Sequence, residues 1–193
     1  FTEKEKRQRA QKLGIAREAV RLLASCESLY LDTGTTAVHV AERLPASRTL
    51  HVCTSNLRAA MSLFRHNPTE VVVFGGRLGT KSPDLTGEMT VAQIRQFRFD
   101  AALVGADALD AEGGVFFSAD LPTAMVSRAA QEQACRTVLA VDASKFGKQS
   151  LATAGELGPG ITVVTDTSAP EAMAAAVRKT GAQVVLAAPE GGR

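Results

Sequence analysis

The chain has 193 residues, 45% of them hydrophobic and 22% charged, with a formal net charge of +2. That length suits one well-buried domain, the composition excludes a disordered chain, and no apolar run reaches the roughly 20 residues a membrane helix needs. The basic residues are spread out, so the positive footprint of a DNA-binding surface is missing and any DNA contact is expected to lie outside this chain.

The first residues, Phe1-Thr2-Glu3-Lys4-Glu5-Lys6, have neither an initiator Met nor an apolar signal core, and read as a cut chain with something ahead of it. From Glu3 to Ala24 the apolar Leu13, Ala16, Val20 and Leu23 recur at helical spacing, while Lys4, Lys6, Arg7, Arg9 and Lys12 charge the earlier part. We read 1–24 as a linker and first helix, with a wet charged face, and 25–193 as the main domain. Short apolar runs follow at Ser28–Leu31, Leu50–Thr54, Val71–Phe74, Ala101–Gly105, Val138–Val141, Ile161–Thr165 and Val184–Ala187. Several are too continuously apolar for a sheet with one wet face. Helical patterns lie between them at Thr35–Leu44, Leu57–Phe64, Leu121–Cys135 and Pro170–Thr180. The alternation predicts an α/β fold: a doubly wound, mostly parallel sheet with helices on both faces. The less regular stretch 75–99 is expected to hold a small insertion or an extra strand pair.

Cys26, Cys53 and Cys135 are odd in number, far apart and without metal or redox spacing, so all three are expected to be core thiols in a reducing cytoplasm. His39 falls in a predicted helix, His51 near a strand start and His66 in a predicted loop, which makes no metal constellation.

In open parallel sheets ligands bind beyond the C-terminal strand ends, and here those ends are rich in small polar residues. The first strand runs into Asp32-Thr33-Gly34-Thr35-Thr36 and then a helix. A glycine for a tight turn, two hydroxyls and free helix N–H groups suit an anion, although Thr35 or Thr36 as a plain helix cap accounts for the hydroxyls as well. The second strand ends in Thr54-Ser55-Asn56, where capping is again an adequate account, and the third in Gly75-Gly76-Arg77, where a turn is. Arg77 has the planar fork that pairs with phosphate, and it equally fits a solvated surface residue. The fourth strand leads to Gly105, Asp107 and Asp110, and the fifth to Asp142 and Lys145. An acid beside an anion is costly, so Asp32, Asp107 and Asp142 fit sugar hydroxyls or backbone, while Lys145 fits a phosphate or carboxylate. Either Arg77 or Lys145 is a candidate for the main phosphate contact.

The ordered strings D-x-G-T-T (Asp32–Thr36), T-x-N (Thr54–Asn56), G-G-x-L (Gly75–Leu78), L-T-G (Leu85–Gly87), D-x-A-x-x-G (Asp100–Gly105) and D-x-S-K-F-G (Asp142–Gly147) resemble the sensor domain of DeoR-type transcription regulators over nearly the whole chain. The charged first helix resembles the segment that joins that family's N-terminal winged helix-turn-helix to its sensor. The resemblance implies a fold related to ribose-5-phosphate isomerase and glucosamine-6-phosphate deaminase, a phosphorylated sugar or similar phosphometabolite as ligand, no cofactor, and a homo-oligomer. It also implies operator DNA as a partner through a module ahead of Phe1. By the same resemblance the phosphate would lie on Thr33–Thr36 and near Thr54–Asn56, with Lys145 closing the site; where the family usually shows Glu-Ala, this chain has Thr123-Ala124.

The competing reading is a sugar-phosphate isomerase or deaminase on the same scaffold, for which Gly105-Ala106-Asp107 and Asp110 resemble an acidic catalytic loop. Enediol chemistry needs a placed base and a cation or acid for the oxyanion. The isomerases supply a Lys and a Glu shortly after that loop, whereas Gly113–Arg128 here has neither, and Asp120 is its only carboxylate. We therefore expect no catalytic residues.

Overall fold

A computed structural model describes residues 8–45, 50–66, 70–80 and 82–191. The helices are α1 (Arg9–Leu22), α2 (Thr35–Ala41), α3 (Leu57–His66), α4 (Glu88–Ile94), α5 (Leu121–Glu132) and α6 (Glu171–Lys179). The strands are β1 (Ser28–Leu31), β2 (His51–Thr54), β3 (Val71–Val73), β4 (Arg77–Leu78), β5 (Leu85–Thr86), β6 (Ala101–Val104), β7 (Ala108–Asp110), β8 (Val115–Ser118), β9 (Thr137–Ala140), β10 (Ala152–Glu156), β11 (Ile161–Asp166) and β12 (Gln183–Ala187).

Seven strands form one parallel sheet in the order β12-β11-β9-β6-β1-β2-β3. Alternate residues of each strand enter opposite cores, which is why the strands read as continuous apolar runs. On one face Leu29, Leu31, Val52, Leu103 and Val138 meet Ile15 and Ala19 of α1, Val40 of α2 and Leu63 of α3. On the other, Tyr30, Ala102, Val104 and Leu139 meet Ile94 of α4, Ala129 of α5, Val177 of α6, and Phe116 of β8. Tyr30 packs between Phe74 and Phe99 there, with ring centroids 6.3 and 5.6 Å away, within the range of favourable aromatic pairs. The doubly wound parallel sheet expected from the alternation is the architecture observed.

The expected strand pair does form within 75–99, as the antiparallel β4–β5 hairpin, and α4 follows it. A second, antiparallel sheet of β7, β8 and β10, which lies against the face carrying Tyr30, was not expected from the sequence. Two smaller expectations are corrected. Cys26 and Cys53 are buried but Cys135 is exposed, because it sits past the end of α5, where the chain turns outward before β9. His66 closes α3 rather than sitting in a loop. Part of the charged stretch ahead of α1, residues 1–7, lies outside the described residues. Among the described residues no helix is long and apolar enough to cross a membrane.

Candidate functional site

The order of strands fixes where a crevice opens. From β1 the chain winds outward through β2 to β3, then returns to place β6 on the other side of β1 and winds away through β9, β11 and β12. The direction reverses between β1 and β6, so the loops leaving these two strands diverge, and such a switch point is where open α/β sheets bind ligands. The loops concerned are Asp32–Thr36 and Gly105–Asp107. They stay close: Asp32 N–H donates to the Leu103 carbonyl at 3.0 Å, and a side-chain carbon added at Gly105 would sit 3.8 Å from the Thr33 carbonyl oxygen.

Gly34 has φ 94° and ψ 175°, a conformation essentially reserved for glycine, and it caps α2 without any side-chain hydrogen bond. Beyond its chain neighbours, no atom lies within 4 Å of where a Cβ would stand. Thr33, Gly34 and Thr36 are half-buried and Thr35 is buried. The backbone of this loop is thus bent toward open space at the start of a helix, where N–H groups have no partner in the preceding turn.

Thr54, Ser55 and Asn56 are wholly buried and hold the loop in place from beneath. Thr54 Oγ1 donates to the Leu31 carbonyl at 2.7 Å and accepts from Asn56 N–H at 3.0 Å. Asn56 Nδ2 donates to the Gly34 carbonyl at 3.0 Å and the Asp32 carbonyl at 3.5 Å. Its Oδ1 accepts from Arg58 and Ala59 N–H, both at 3.1 Å, and so caps α3. The Ser55 hydroxyl pairs with Tyr30 Oη at 3.2 Å.

Asp32 is buried, and its Oδ1 has no hydrogen-bond partner. Burial pushes its carboxyl up to about 7, against the pull of the Thr33 amide, the Ser127 hydroxyl and the Gly105 amide. Burial, and then the nearby Asp32, hold the Tyr30 phenol well above its ordinary value.

The remaining predicted residues fall into three groups. Gly75 and Gly76 belong to the turn after β3. Gly75 accepts from Thr90 Oγ1 at 2.8 Å and its N–H donates to Gln93 Oε1 at 3.0 Å, while a side-chain carbon at Gly76 would lie 2.7 Å from the Thr86 carbonyl oxygen. Arg77 is exposed on β4. Asp107 lies at the head of β7, where its Oδ2 accepts from Ala119 N–H at 2.9 Å and its own N–H reaches the Phe117 carbonyl at 2.8 Å.

Asp142 is buried and caps the short 3-10 turn Ala143–Lys145, accepting from Ser144 N–H at 3.1 Å and from the Ser144 hydroxyl. That turn leaves β9, the strand next to β6, and Phe146 bridges to Leu109 of β7. Lys145, half-buried, therefore lies on the β6 side of the switch point. Asp110 is held below the ordinary carboxylate range by the Gly113 amide and Gln149.

Sequence reasoning missed Ser127, on α5, and Asp166, at the end of β11. Asp166 is buried, takes the Ala143 N–H at 2.7 Å, and accepts from Ser168 N–H at 3.1 Å and from the Ser168 hydroxyl. Nothing in their local sequence marks these cross-strand roles. Replacing Asp166 by Ala should leave the Ala143 amide without its buried acceptor, costing on the order of 1–2 kcal/mol in stability. Denaturant melts should show this as a lower midpoint with an unchanged slope.

Comparison with known proteins places this geometry among relatives. A family model described as the DeoR C terminal sensor domain matches residues 7–167. The chain is 37% identical over 147 residues to a glycerol-3-phosphate regulon repressor of Haemophilus influenzae, covering 76% of this chain and 57% of that protein. It is 30% identical over 163 residues to the protein of the same name from Escherichia coli, covering 84% of this chain and 64% of that one. The chain thus spans less than two thirds of the length of both relatives. Among solved structures it is similar in fold to ribose 5-phosphate isomerase A from Methanocaldococcus jannaschii, with a TM-score of 0.52 at 21% identity, covering 72% of this chain and 54% of that one.

Proposed function

This chain belongs to the DeoR C-terminal sensor domain family, and from that membership we propose that it is the effector-binding part of a transcriptional repressor of carbohydrate metabolism. The effector is a phosphorylated sugar or related phosphometabolite held at the β1–β6 switch point without being transformed. The observation that carries this reading is Gly34, whose backbone opens the Asp32–Thr36 loop toward free space while Asn56 fixes it from behind. The Thr33–Thr36 amides and hydroxyls take the phosphate, with Lys145 from the β6 side as the cation, and the polar groups at Gly105–Asp107 meet the rest of the ligand.

Recognition without turnover is supported by the state of the acids. Asp107 is bound to the Ala119 amide, Asp110 to the Gly113 amide and Asp120 to the Thr123 amide, where it caps α5. A general base has to reach the reacting proton, whereas these three brace their own loops. Names of the two repressor relatives place a glycerol-3-phosphate regulon under control of proteins of this family, which makes glycerol 3-phosphate the first probe to try. Ligand binding must favour one arrangement of the protein over another to change operator affinity, through a DNA-binding module outside this chain and in a dimer or tetramer.

The test is a thermal-shift series of sugar phosphates and glycerol 3-phosphate against their unphosphorylated parents. A ligand at a hundred times its Kd adds about 2.7 kcal/mol of stability, so a phosphorylated compound should raise Tm by several degrees and its parent by none. NMR of the same mixtures should show no product. Equal shifts with and without the phosphate, or product formation lost on Asp107→Asn substitution, would overturn the reading.

A further inference from the structure

We infer that Asp32 is a proton-linked positioning residue for the anion loop: the crevice takes up a phosphate when the Asp32 carboxyl is protonated and disfavours it when that carboxyl is ionised. The inference rests on the reading of Asp32–Thr36 as the phosphate loop. Asp32 is only 2% exposed and stands two residues before Gly34, beneath the bend that opens the loop. Its Oδ1 is buried without a partner, a costly arrangement for an ionised carboxylate but a tolerable one for a neutral acid.

Among the described residues, the groups facing it supply no compensating positive charge. From β1 comes Tyr30, whose hydroxyl is taken by Ser55; from α5 comes the Ser127 hydroxyl; from the loop after β6 comes the Gly105 amide. From the segment before β5 comes a second carboxylate, Asp84, only 4% exposed. Asp84 bridges Asn56, and Asn56 Nδ2 reaches the Asp32 carbonyl at 3.5 Å. The charge of Asp84 adds to the burial that disfavours ionisation of Asp32. Adding a phosphate dianion above Asp32 strengthens the case for a proton on it. With a free-protein value of about 7, Asp32 is mostly protonated at pH 6 and mostly ionised at pH 8.5.

The test compares wild type with Asp32→Asn, which mimics the neutral acid, by calorimetric titration of glycerol 3-phosphate and, separately, of inorganic phosphate from pH 6 to 8.5. The ionisation of the ligand itself affects both proteins alike and cancels in their ratio. If only the protonated form binds, the binding-competent fraction at pH 8.5 is about 3%, so the Asp32→Asn variant should match wild type within roughly threefold at pH 6 and bind roughly thirtyfold tighter at pH 8.5. Carbon-13 NMR of the Asp32 carboxyl in the ligand-free wild type supplies a reading independent of any variant, and should give a midpoint near 7 that rises when phosphate is added. A midpoint near 4, or wild type and variant tracking each other at every pH, overturns the inference while leaving the phosphate site standing. Absence of binding in both proteins at every pH, for both probes, overturns the phosphate site and the inference with it.

Discussion

Replacing Gly34 with Val is expected to weaken binding of a phosphorylated ligand at least a hundredfold while leaving a folded protein. A β-branched residue at φ 94°, ψ 175° is strained by roughly 1–3 kcal/mol, and the chain relieves the strain by turning the neighbouring peptides. Those peptides carry the N–H groups that face the crevice. The added Cβ meets no atom beyond its chain neighbours within 4 Å, so the side chain starts into open space, the space the ligand needs. Gly34→Ala shares the backbone penalty with less bulk, and should fall between Val and wild type. Calorimetry with glycerol 3-phosphate reads the loss directly, and wild-type affinity in the Val variant would remove the loop from the site.

Asn56→Ala is expected to cost stability and affinity together. Its amide joins the β1 loop, the Gly34 carbonyl and the start of α3. Loss of the helix cap costs about 1–2 kcal/mol, and leaving a buried carbonyl without its donor costs about 1–3 kcal/mol more. A combined destabilisation of roughly 2–5 kcal/mol should appear in denaturant melts, with affinity for the ligand falling more than tenfold. Asn56→Ser separates the two roles, since a short hydroxyl can still accept from the start of α3 but does not reach the Gly34 carbonyl. It should recover part of the stability and little of the affinity. A variant that bound normally despite losing the donor would show that the loop holds its shape unaided.

Most of the parallel sheet was legible because its inner strands are buried on both faces and so announce themselves as unbroken apolar runs; Ala101–Val104 and Thr137–Ala140 are buried throughout. The antiparallel sheet was not. Strand β7 is three residues long, and β10 reads Ala-Thr-Ala-Gly-Glu, small residues without β-branched or aromatic bias beyond one threonine. What makes β10 a strand is its partner β8, whose Phe116 and Phe117 lie opposite it, and pairing across some forty residues leaves no local mark. The site divides the same way. The Asp32–Thr36 loop was visible from its glycine and hydroxyls, since φ > 0 and helix capping are local demands. Strand order, which puts β6 beside β1 and so places Gly105 against Thr33, is a tertiary fact. So are the roles of Ser127 and Asp166, which act across the sheet. Residues predicted only by their polar type, such as Thr54 and Asn56, proved to be wholly buried supports of the loop, because a small polar side chain at a strand end can serve the backbone as readily as a ligand.

The binding of a phosphorylated ligand at the β1–β6 switch point is tested most directly by a proton–nitrogen NMR titration of this chain with glycerol 3-phosphate, run beside glycerol. Saturable shifts are expected to centre on the Thr33–Thr36 amides and on Gly105–Asp107, with a smaller response at Lys145 and none with glycerol at equal concentration. Shifts centred elsewhere, or the same shifts with glycerol, would contradict it.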